Sequence, residues 1–269
     1  MKYVKIVFTL RDAHDAEIIM ALLAEFPWLG FEQMDTQLLA YCNEDVFDEI
    51  VLKELLGDFV CSYSFETIAH ENWNQVWESN FEPIRVGNDI GVRASFHEAL
   101  VDCKYEIVIT PKMSFGTGHH ETTQMMLEYI GEIDCRQKSV FDFGCGTGVL
   151  AILAKMKGAN KIVGIDNDAW SVENAIENCR NNHASDIEIS IKDIREIHQT
   201  FDIILANINL NILLEHLPQM KALLHEGGLI IMSGIFVSDI PQLKNKFELL
   251  GMQQVSTKQK KDWAAVCVN

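Results

Sequence analysis

The chain has 269 residues and a mass of 30.5 kDa, and 48% of its residues are hydrophobic, which excludes a disordered or low-complexity protein. This length allows one large domain or two smaller ones, and no apolar run approaches the roughly 20 residues that a membrane helix needs. The formal charge of -17 disfavours nucleic acids and anionic membranes as partners, because like charges repel.

The negative charge is concentrated near the amino terminus. Residues 1–68 hold thirteen acidic side chains and four basic ones, so about a quarter of the chain carries over half of the negative excess. This asymmetry is consistent either with a surface adapted for solubility or with a docking face for a basic partner.

The cysteines and the amino terminus indicate the compartment. Seven cysteines, an odd count without a Cys-x-x-Cys pair, indicate reduced thiols rather than a disulfide framework or a zinc site. The first apolar stretch is short and is broken by Lys5, which is not typical of a signal peptide. We therefore expect a cytoplasmic protein.

Residues 1–68 predict a small domain of the order β-α-β-β-α-β. The segment 3–9 is rich in β-branched and aromatic residues, and apolar side chains recur at helical spacing over 16–26 and 47–55. The remaining short strands are predicted over residues 31–35, 38–42 and 60–68. This order is that of the split, ferredoxin-like arrangement, which usually serves binding.

Residues 69–100 are predicted to link two domains. The segment begins with a helical stretch in which Trp73 and Trp77 lie one turn apart. Short extended pieces follow, punctuated by one proline and two glycines. We interpret the tryptophan pair as packing between the linker and its neighbours rather than as a ligand platform.

Residues 101–269 predict a second domain in which strands and helices alternate. The predicted strands cover residues 105–111, 139–144, 161–166, 187–194, 201–208 and 229–235. The predicted helices cover residues 119–133, 149–158, 170–182, 212–227 and 238–251. Such alternation gives a parallel sheet with helices on both faces. The last two strands, 252–259 and 263–269, are joined by a short turn and must be antiparallel.

The strongest functional signal is FDFGCGTG, which follows a predicted strand and opens a helix. Its glycine loop, residues 144–148, lets the backbone turn sharply and approach a ligand closely. The spacing differs from the dinucleotide fingerprint, because Val149 occupies the place of the third glycine, and no Gly-Lys-Ser/Thr of a phosphate loop follows. Asp142, just before the glycines, would repel a pyrophosphate but suits an ammonium group.

Two further strand ends complete the predicted ligand site. Asp166 ends the next strand, where an acidic side chain accepts hydrogen bonds from ribose hydroxyls. Lys192-Asp193-Ile194 ends the strand after that, where a polar side chain could meet an adenine edge. The ligand described is a nucleoside with an amino-acid tail and no phosphates, which fits S-adenosylmethionine. The predicted binding residues are Asp142, Gly144, Gly146, Asp166 and Asp193.

The second domain resembles class I S-adenosylmethionine-dependent methyltransferases. Two segments narrow the resemblance to one family, FGTGHHETT at 115–123 and ANIN at 206–209. This family is the bacterial methyltransferases of large-subunit ribosomal protein eleven, and the resemblance covers nearly the whole chain. It implies an α/β fold, with a seven-stranded doubly wound methyltransferase sheet and a small N-terminal α+β ferredoxin-like domain that recognises the substrate. It also implies cofactor contacts for Phe115, Gly116, Thr117, Gly118, Thr123 and Asn207.

Asn207 is the candidate catalytic residue. It ends a parallel strand, where its side-chain oxygen could accept hydrogens from an amine and aim the nitrogen lone pair at the methyl group. Some amine methyltransferases carry Asn-Pro-Pro-Tyr here, whereas this chain has Asn-Ile-Asn-Leu, which argues against a flat base or amide as substrate. An ordinary asparagine at a strand-end turn remains the alternative.

His119-His120-Glu121 lacks the His-x-x-x-His spacing of a metal site, so no metal is predicted, and a general base is not assigned. The residues predict methyl transfer from S-adenosylmethionine to an amine. The resemblance implies lysine and α-amino groups of large-subunit ribosomal protein eleven, with trimethylation. The alternatives are another protein, RNA or a small-molecule amine as substrate, a binding module without turnover, and, more distantly, a dehydrogenase. We expect a monomer whose partner is a basic ribosomal protein, without direct nucleic acid or membrane contact.

Overall fold

The computed structural model describes residues 2–23, 26–34, 36–57, 59, 62–69, 81–112 and 114–269. The chain forms two compact units, residues 1–80 and 81–269. The predicted linker helix with Trp73 and Trp77 lies outside the described residues. In the described ranges, no helix combines the length and the apolar character needed to cross a membrane.

The described residues of the first unit form a four-stranded antiparallel sheet and two helices. Its strands are β1 (Lys2–Thr9), β2 (Gly30–Met34), β3 (Gln37–Asn43) and β4 (Ser62–Ala69). Its helices are α1 (Ala13–Leu22) and α2 (Glu49–Leu56). The sheet order β2-β3-β1-β4 confirms the predicted ferredoxin-like arrangement. Val4, Ile6 and Phe8 alternate along β1 and are buried in one core with Ile19 and Leu52 from the helices.

The second unit is built on a seven-stranded sheet of order β10-β9-β8-β11-β12-β14-β13. Its strands are β8 (Ser139–Phe143), β9 (Lys161–Asp166), β10 (Glu188–Ile191), β11 (Phe201–Asn207), β12 (Leu224–Phe236), β13 (Gln254–Lys260) and β14 (Trp263–Val268). The first five are mutually parallel. Strand β14 runs antiparallel to both of its neighbours, as its short connection to β13 requires.

Five helices cover both faces of this sheet. They are α3 (Glu121–Glu132), α4 (Val149–Met156), α5 (Ala169–Asn181), α6 (Leu210–Ala222) and α7 (Ile240–Leu250). Successive residues of β8 enter opposite cores: Val140 packs with residues of α3 and α4, and Phe141 packs with residues of α6 and α7. The doubly wound architecture is therefore confirmed.

The boundary between the units differs from the sequence prediction. Strands β5 (Ile84–Val86), β6 (Ile90–Ala94) and β7 (Tyr105–Ile109) form a separate three-stranded sheet in the second unit. The observed division between residues 80 and 81 falls inside the predicted linker 69–100, but residues 81–100 belong to the second unit, because β6 pairs in parallel with β7. Sequence periodicity could not reveal this pairing, because it joins a punctuated segment to a strand eleven residues further along.

The predicted helix 212–227 also ends earlier, at Ala222, and β12 begins at Leu224. Phe201 pairs with Leu224, so the edge of β11 draws these residues into the sheet. Gly227 has a left-handed φ of 74°, which ends any continuation of the helix. Tertiary pairing therefore overrides the helical pattern of the two leucines at 223 and 224.

Candidate functional site

The site lies where the connections of the sheet change direction. From β8 the chain winds outward to β9 and β10, and then returns to form β11 and β12 on the other side of β8. Such a switch point opens a crevice at the carboxyl ends of the strands. A cleft of about 340 Å³ occupies this position, and Gly144, Asp166 and Asp193 from the predicted set line it.

The glycine loop is folded tightly against the end of β9. The amides of Gly144 and Cys145 donate to the carbonyl of Ile165 at 2.9 and 3.0 Å, and the amide of Gly146 donates to Asp166 Oδ2 at 2.9 Å. A Cβ atom on Gly144 would lie 2.5 Å from the side chain of Ile208. The loop therefore requires glycine here, because the chain after β11 approaches it directly.

The Phe115 loop, residues 115–118, lies on top of the glycine loop. The Thr147 amide donates to the Phe115 carbonyl at 2.9 Å, and Thr147 Oγ1 donates to the Gly116 carbonyl at 2.7 Å. A Cβ atom on Gly146 would lie 2.3 Å from the Phe115 carbonyl oxygen. The structure thus brings the family-specific segment to the glycine loop, while Gly146 itself is buried beneath that segment and does not line the cleft.

The other two residues of this segment, Thr117 and Gly118, lie beside the cleft rather than in its lining. Gly118 is buried and has a left-handed φ of 94°. A Cβ atom on it would lie 3.0 Å from the side chain of Ile84 in β5. Thr117 Oγ1 lies 3.2 Å from Nδ1 of His119. Their contact with a cofactor remains a prediction.

Thr123 and Asn207, distant in sequence, meet at the end of β11. The side chain of His120 caps α3 by accepting the Thr122 amide at 3.3 Å, so Thr123 lies in the first helical turn and is buried. Asn207 Nδ2 donates to Thr123 Oγ1 at 3.3 Å. Asn207 Oδ1 is buried and has no hydrogen-bond partner among the described residues, so it is available to a donor from a bound molecule.

Asp166 and Asp193 both line the cleft, but different groups hold their carboxylates in place. Asp166 is half-buried, and its oxygens accept the amides of Gly146 and Asp168 at 2.9 and 3.0 Å, which orients the carboxylate. Asp193 accepts two hydrogen bonds from the Arg195 guanidinium at 2.7 and 2.6 Å. These bonds hold the pKa of Asp193 well below its ordinary range, so it is a permanent acceptor.

Asp142 is a predicted binding residue that does not line the cleft. Its side chain is fully buried beneath the glycine loop, near the backbone of Ala151 in α4, and neither oxygen has a hydrogen-bond partner in the described residues. Burial raises the pKa of Asp142 from 3.8 to about 7, and the negative charge of Asp166 adds to the rise. A direct bond from Asp142 to a ligand ammonium remains a prediction.

Sequence reasoning missed the helical wall of the cleft. The residues of α6 that line it are Ile212, Glu215 and His216. The rings of His216 and Phe143 are nearly perpendicular, with their centroids 5.5 Å apart. No motif marks these residues, because the packing of α6 on the sheet decides which face of the helix reaches the cleft. Trp170, in the first turn of α5, is 76% exposed and lines a separate cavity.

The donor set at this site is suited to an organic ligand. Across the ranges that the structure describes, no three His, Cys, Asp or Glu side chains converge to hold a metal ion. The carboxylates of Asp166 and Asp193 suit hydroxyl and amino donors, and the glycine loop supplies close backbone approach. The orphaned Asn207 oxygen suits an amine. The residues present therefore fit S-adenosylmethionine and an amine substrate.

Comparisons with known proteins agree with this geometry. A family model described as ribosomal protein L11 methyltransferase (PrmA) matches residues 11–269. The chain is 40% identical to the ribosomal protein L11 methyltransferase of Phocaeicola vulgatus over 99% of this chain and 98% of that protein. It is also 40% identical to that of Porphyromonas gingivalis, over 99% of this chain and 97% of that protein. A solved structure of ribosomal protein L11 methylase from Lactobacillus delbrueckii subsp. bulgaricus has a TM-score of 0.66 and 26% identity, covering 70% of this chain and 98% of that chain.

Replacing Asp166 by alanine removes the oriented carboxylate from the cleft. We expect S-adenosylmethionine to bind about tenfold to a hundredfold more weakly, because a hydrogen bond to a charged group contributes roughly 1.5–3 kcal/mol. Calorimetric titration measures the dissociation constant. Asp134→Ala, an exposed carboxylate just after α3, is the control for the charge change. Equal affinities for wild type and Asp166→Ala would remove Asp166 from the site.

Replacing Asp142 by asparagine tests the buried carboxyl group without any ligand. Because the pKa of Asp142 is higher in the folded than in the unfolded chain, wild type loses stability as the pH rises from about 4 to about 7. Asparagine carries no charge, so the advantage of the variant should grow through this window and level off above it. Urea unfolding at several pH values measures the free energy of unfolding. Parallel pH profiles for the two proteins would contradict the shifted pKa.

Proposed function

The chain belongs to the ribosomal protein L11 methyltransferase family, and we propose that it N-methylates lysine and α-amino groups of ribosomal protein L11 with S-adenosylmethionine. Trimethylation of these amines is part of the proposal. The observation that carries it is the buried, unpartnered Oδ1 of Asn207 at the end of β11, beside the cleft that Gly144, Asp166 and Asp193 line.

The cleft and the two loops would hold the cofactor. Asp166 is placed to accept hydrogen bonds from ribose hydroxyls, and Asp193 to accept them from the amino group of the adenine. Thr123 contacts Asn207 at the end of β11, and the Phe115 loop contacts the glycine loop; the amino-acid tail would lie against these residues. When bound, S-adenosylmethionine supplies a methyl group that its sulfonium already activates for transfer.

Asn207 would orient the accepting amine. Its Nδ2 is held by Thr123 Oγ1 at 3.3 Å, so the amide plane is fixed and Oδ1 remains for the amine hydrogens. An amine held this way directs its lone pair along one line, which lowers the entropic part of the barrier. The amine must first lose a proton, and withdrawal from water lowers its pKa and favours the neutral form.

The backbone around Asn207 is fixed without the two prolines of other amine methyltransferases. The Ile208 amide donates to the Ser233 carbonyl at 3.2 Å, and a Cβ atom on Gly234 would lie 2.3 Å from the Ile208 carbonyl oxygen. Asn209 caps α6 by accepting the Ile212 amide at 3.1 Å, which assigns it a structural role. Asn207 is therefore the asparagine of this pair that is left to bind an aliphatic amine.

Recognition of the protein substrate would involve the first unit. Val46, Ile50 and Phe65 are 39%, 68% and 44% exposed, and Phe47 packs on Phe65 with ring centroids 4.8 Å apart. We call these four residues the α2 patch. The segment 44–54 around it contains five acidic residues and one lysine. An apolar patch with an acidic rim fits a basic protein, because charge complementarity steers the encounter and the apolar centre is buried on docking.

The remaining parts of the proposal concern the state of the enzyme. We propose that it acts as a monomer in the cytoplasm and contacts the protein substrate without binding nucleic acid. The charge of -17 supports this choice of partner, because it favours a basic protein and opposes a phosphate backbone.

Intact-mass analysis of ribosomal protein L11, incubated with this protein and S-adenosylmethionine, tests the function. We expect mass increments of whole methyl groups, and Asn207→Ala should lower kcat by about a hundredfold with little change in cofactor affinity, since it removes amine orientation. Asn160→Ala, an exposed asparagine just before β9, is the matched control. Unmodified L11, with methyl groups transferred to RNA or a metabolite instead, would reject the proposed substrate.

Replacing Ile50 by lysine tests the α2 patch. The change removes an exposed apolar contact and adds a charge of the same sign as the substrate. We expect KM for L11 to rise about tenfold while kcat stays unchanged. Leu249→Lys, which introduces lysine at an 83% exposed leucine of α7, is the control. Identical steady-state kinetics for both variants and wild type would exclude this patch as a docking surface.

A further inference from the structure

Helix α5 and its C-cap carry three asparagines at four-residue spacing, Asn174, Asn178 and the C-cap Asn182, and they face β7 and the residue after it. Strand β7 lies at an edge of the three-stranded sheet, so only one side of β7 is paired with a strand of that sheet, namely β6. Four helical residues rise about 6 Å and two strand residues rise about 6.6 Å. Asparagines at this spacing can therefore reach the outward-facing backbone groups of Val108 and Thr110, which are two residues apart.

The hydrogen bonds follow this match. Asn182 accepts the Val108 amide at 2.8 Å and donates to the Val108 carbonyl at 2.6 Å. Asn178 Oδ1 accepts the Thr110 amide at 2.7 Å, and Asn174 Nδ2 donates to the Thr110 carbonyl at 3.0 Å. The three amides thus pair the outward-facing backbone groups of Val108 in β7 and of Thr110 just after it.

Asn178 differs from the other two in the direction of its second bond. Its Nδ2 donates to the carbonyl of Thr147 in the glycine loop at 2.9 Å, and the side chain is fully buried. Thr147 in turn donates its amide to the Phe115 carbonyl and its hydroxyl to the Gly116 carbonyl. The segment from Thr110 to Gly116 is therefore held at both ends by one pair, Asn178 and Thr147.

We propose that Asn178 is a positioning residue for the cofactor. It touches neither the cleft nor Asn207, and it acts through Thr147 by fixing the Phe115 loop against the glycine loop. Loss of this link releases the loop predicted to flank the amino-acid tail of the cofactor, whereas the residues that orient the amine keep their places. This inference rests on the proposed function and deepens it, because it assigns cofactor affinity to a residue outside the binding cleft.

The isosteric change Asn178→Asp separates the two bonds. The variant keeps an oxygen for the Thr110 amide but places a second oxygen against the Thr147 carbonyl, where two acceptors repel. Asn182→Asp is the matched control, because it makes the same change one rung away, where the lost donor served only the carbonyls of Val108 and Asn178. Both variants lose hydrogen bonds from a buried or half-buried side-chain amide, but only Asn178→Asp loses a bond to the glycine loop.

The experiment titrates S-adenosylmethionine into each purified full-length protein and measures the methylation kinetics of ribosomal protein L11. We expect Asn178→Asp to raise the dissociation constant and KM for the cofactor at least tenfold, with kcat at saturating cofactor within twofold of wild type. Asn182→Asp should keep both values within twofold of wild type while its thermal midpoint falls. Thr147→Val, which removes the hydroxyl bond to Gly116, should weaken cofactor binding in the same way and is informative even if Asn178→Asp fails to fold.

Unchanged cofactor affinity in a folded Asn178→Asp or in Thr147→Val, or an equal loss in Asn182→Asp, would overturn the inference and leave a merely structural ladder. A wild-type protein that binds no S-adenosylmethionine would overturn the proposed function as well. The two failures are thus distinguishable in one series of titrations.

Discussion

The close approach of two glycine-containing loops is the constraint on which the rest of the site depends. Only a residue without a Cβ atom fits at Gly146, because the Phe115 carbonyl oxygen would lie 2.3 Å from that atom. The approach allows Thr147 to bind the Phe115 loop through its amide and hydroxyl. Helix α3 follows this loop and is held separately by its His120 cap and its packing in the core, so Thr123 stays beside Asn207.

The orientation of α3 has a second support on its exposed side. Lys258 pairs with Glu132 at 2.6 Å, Lys260 pairs with Glu128 at 2.7 Å, and Lys261 pairs with Glu121 in the first turn of the helix. Each exposed ion pair contributes little to stability. As a row, the pairs link α3 to β13 and to the turn that follows it.

Two polar groups at and near this site are buried at an energetic cost. The carboxyl group of Asp142 and the Oδ1 atom of Asn207 are buried without hydrogen-bond partners among the described residues. A buried polar atom left unpaired costs about 1–3 kcal/mol. Asn207 lies at the end of β11, where a bound amine would satisfy it, whereas burial raises the pKa of Asp142 and so favours its uncharged form. A polar group that is left unpaired here for binding therefore lowers the stability of the folded protein, as is common at functional sites.

The sequence alone determined the order of the elements, the glycine loop, the family-specific loop at 115–123 and the candidate Asn207, because local periodicity and short motifs encode them. Only the tertiary structure decided that β5 and β6 join β7, that α6 ends at Ala222, that His216 lines the cleft and that Asp142 lies outside it. These features depend on which backbone edges and helix faces meet across long sequence separations. A local sequence pattern does not encode these long-range contacts, because they depend on close packing and on the pairing of buried polar groups.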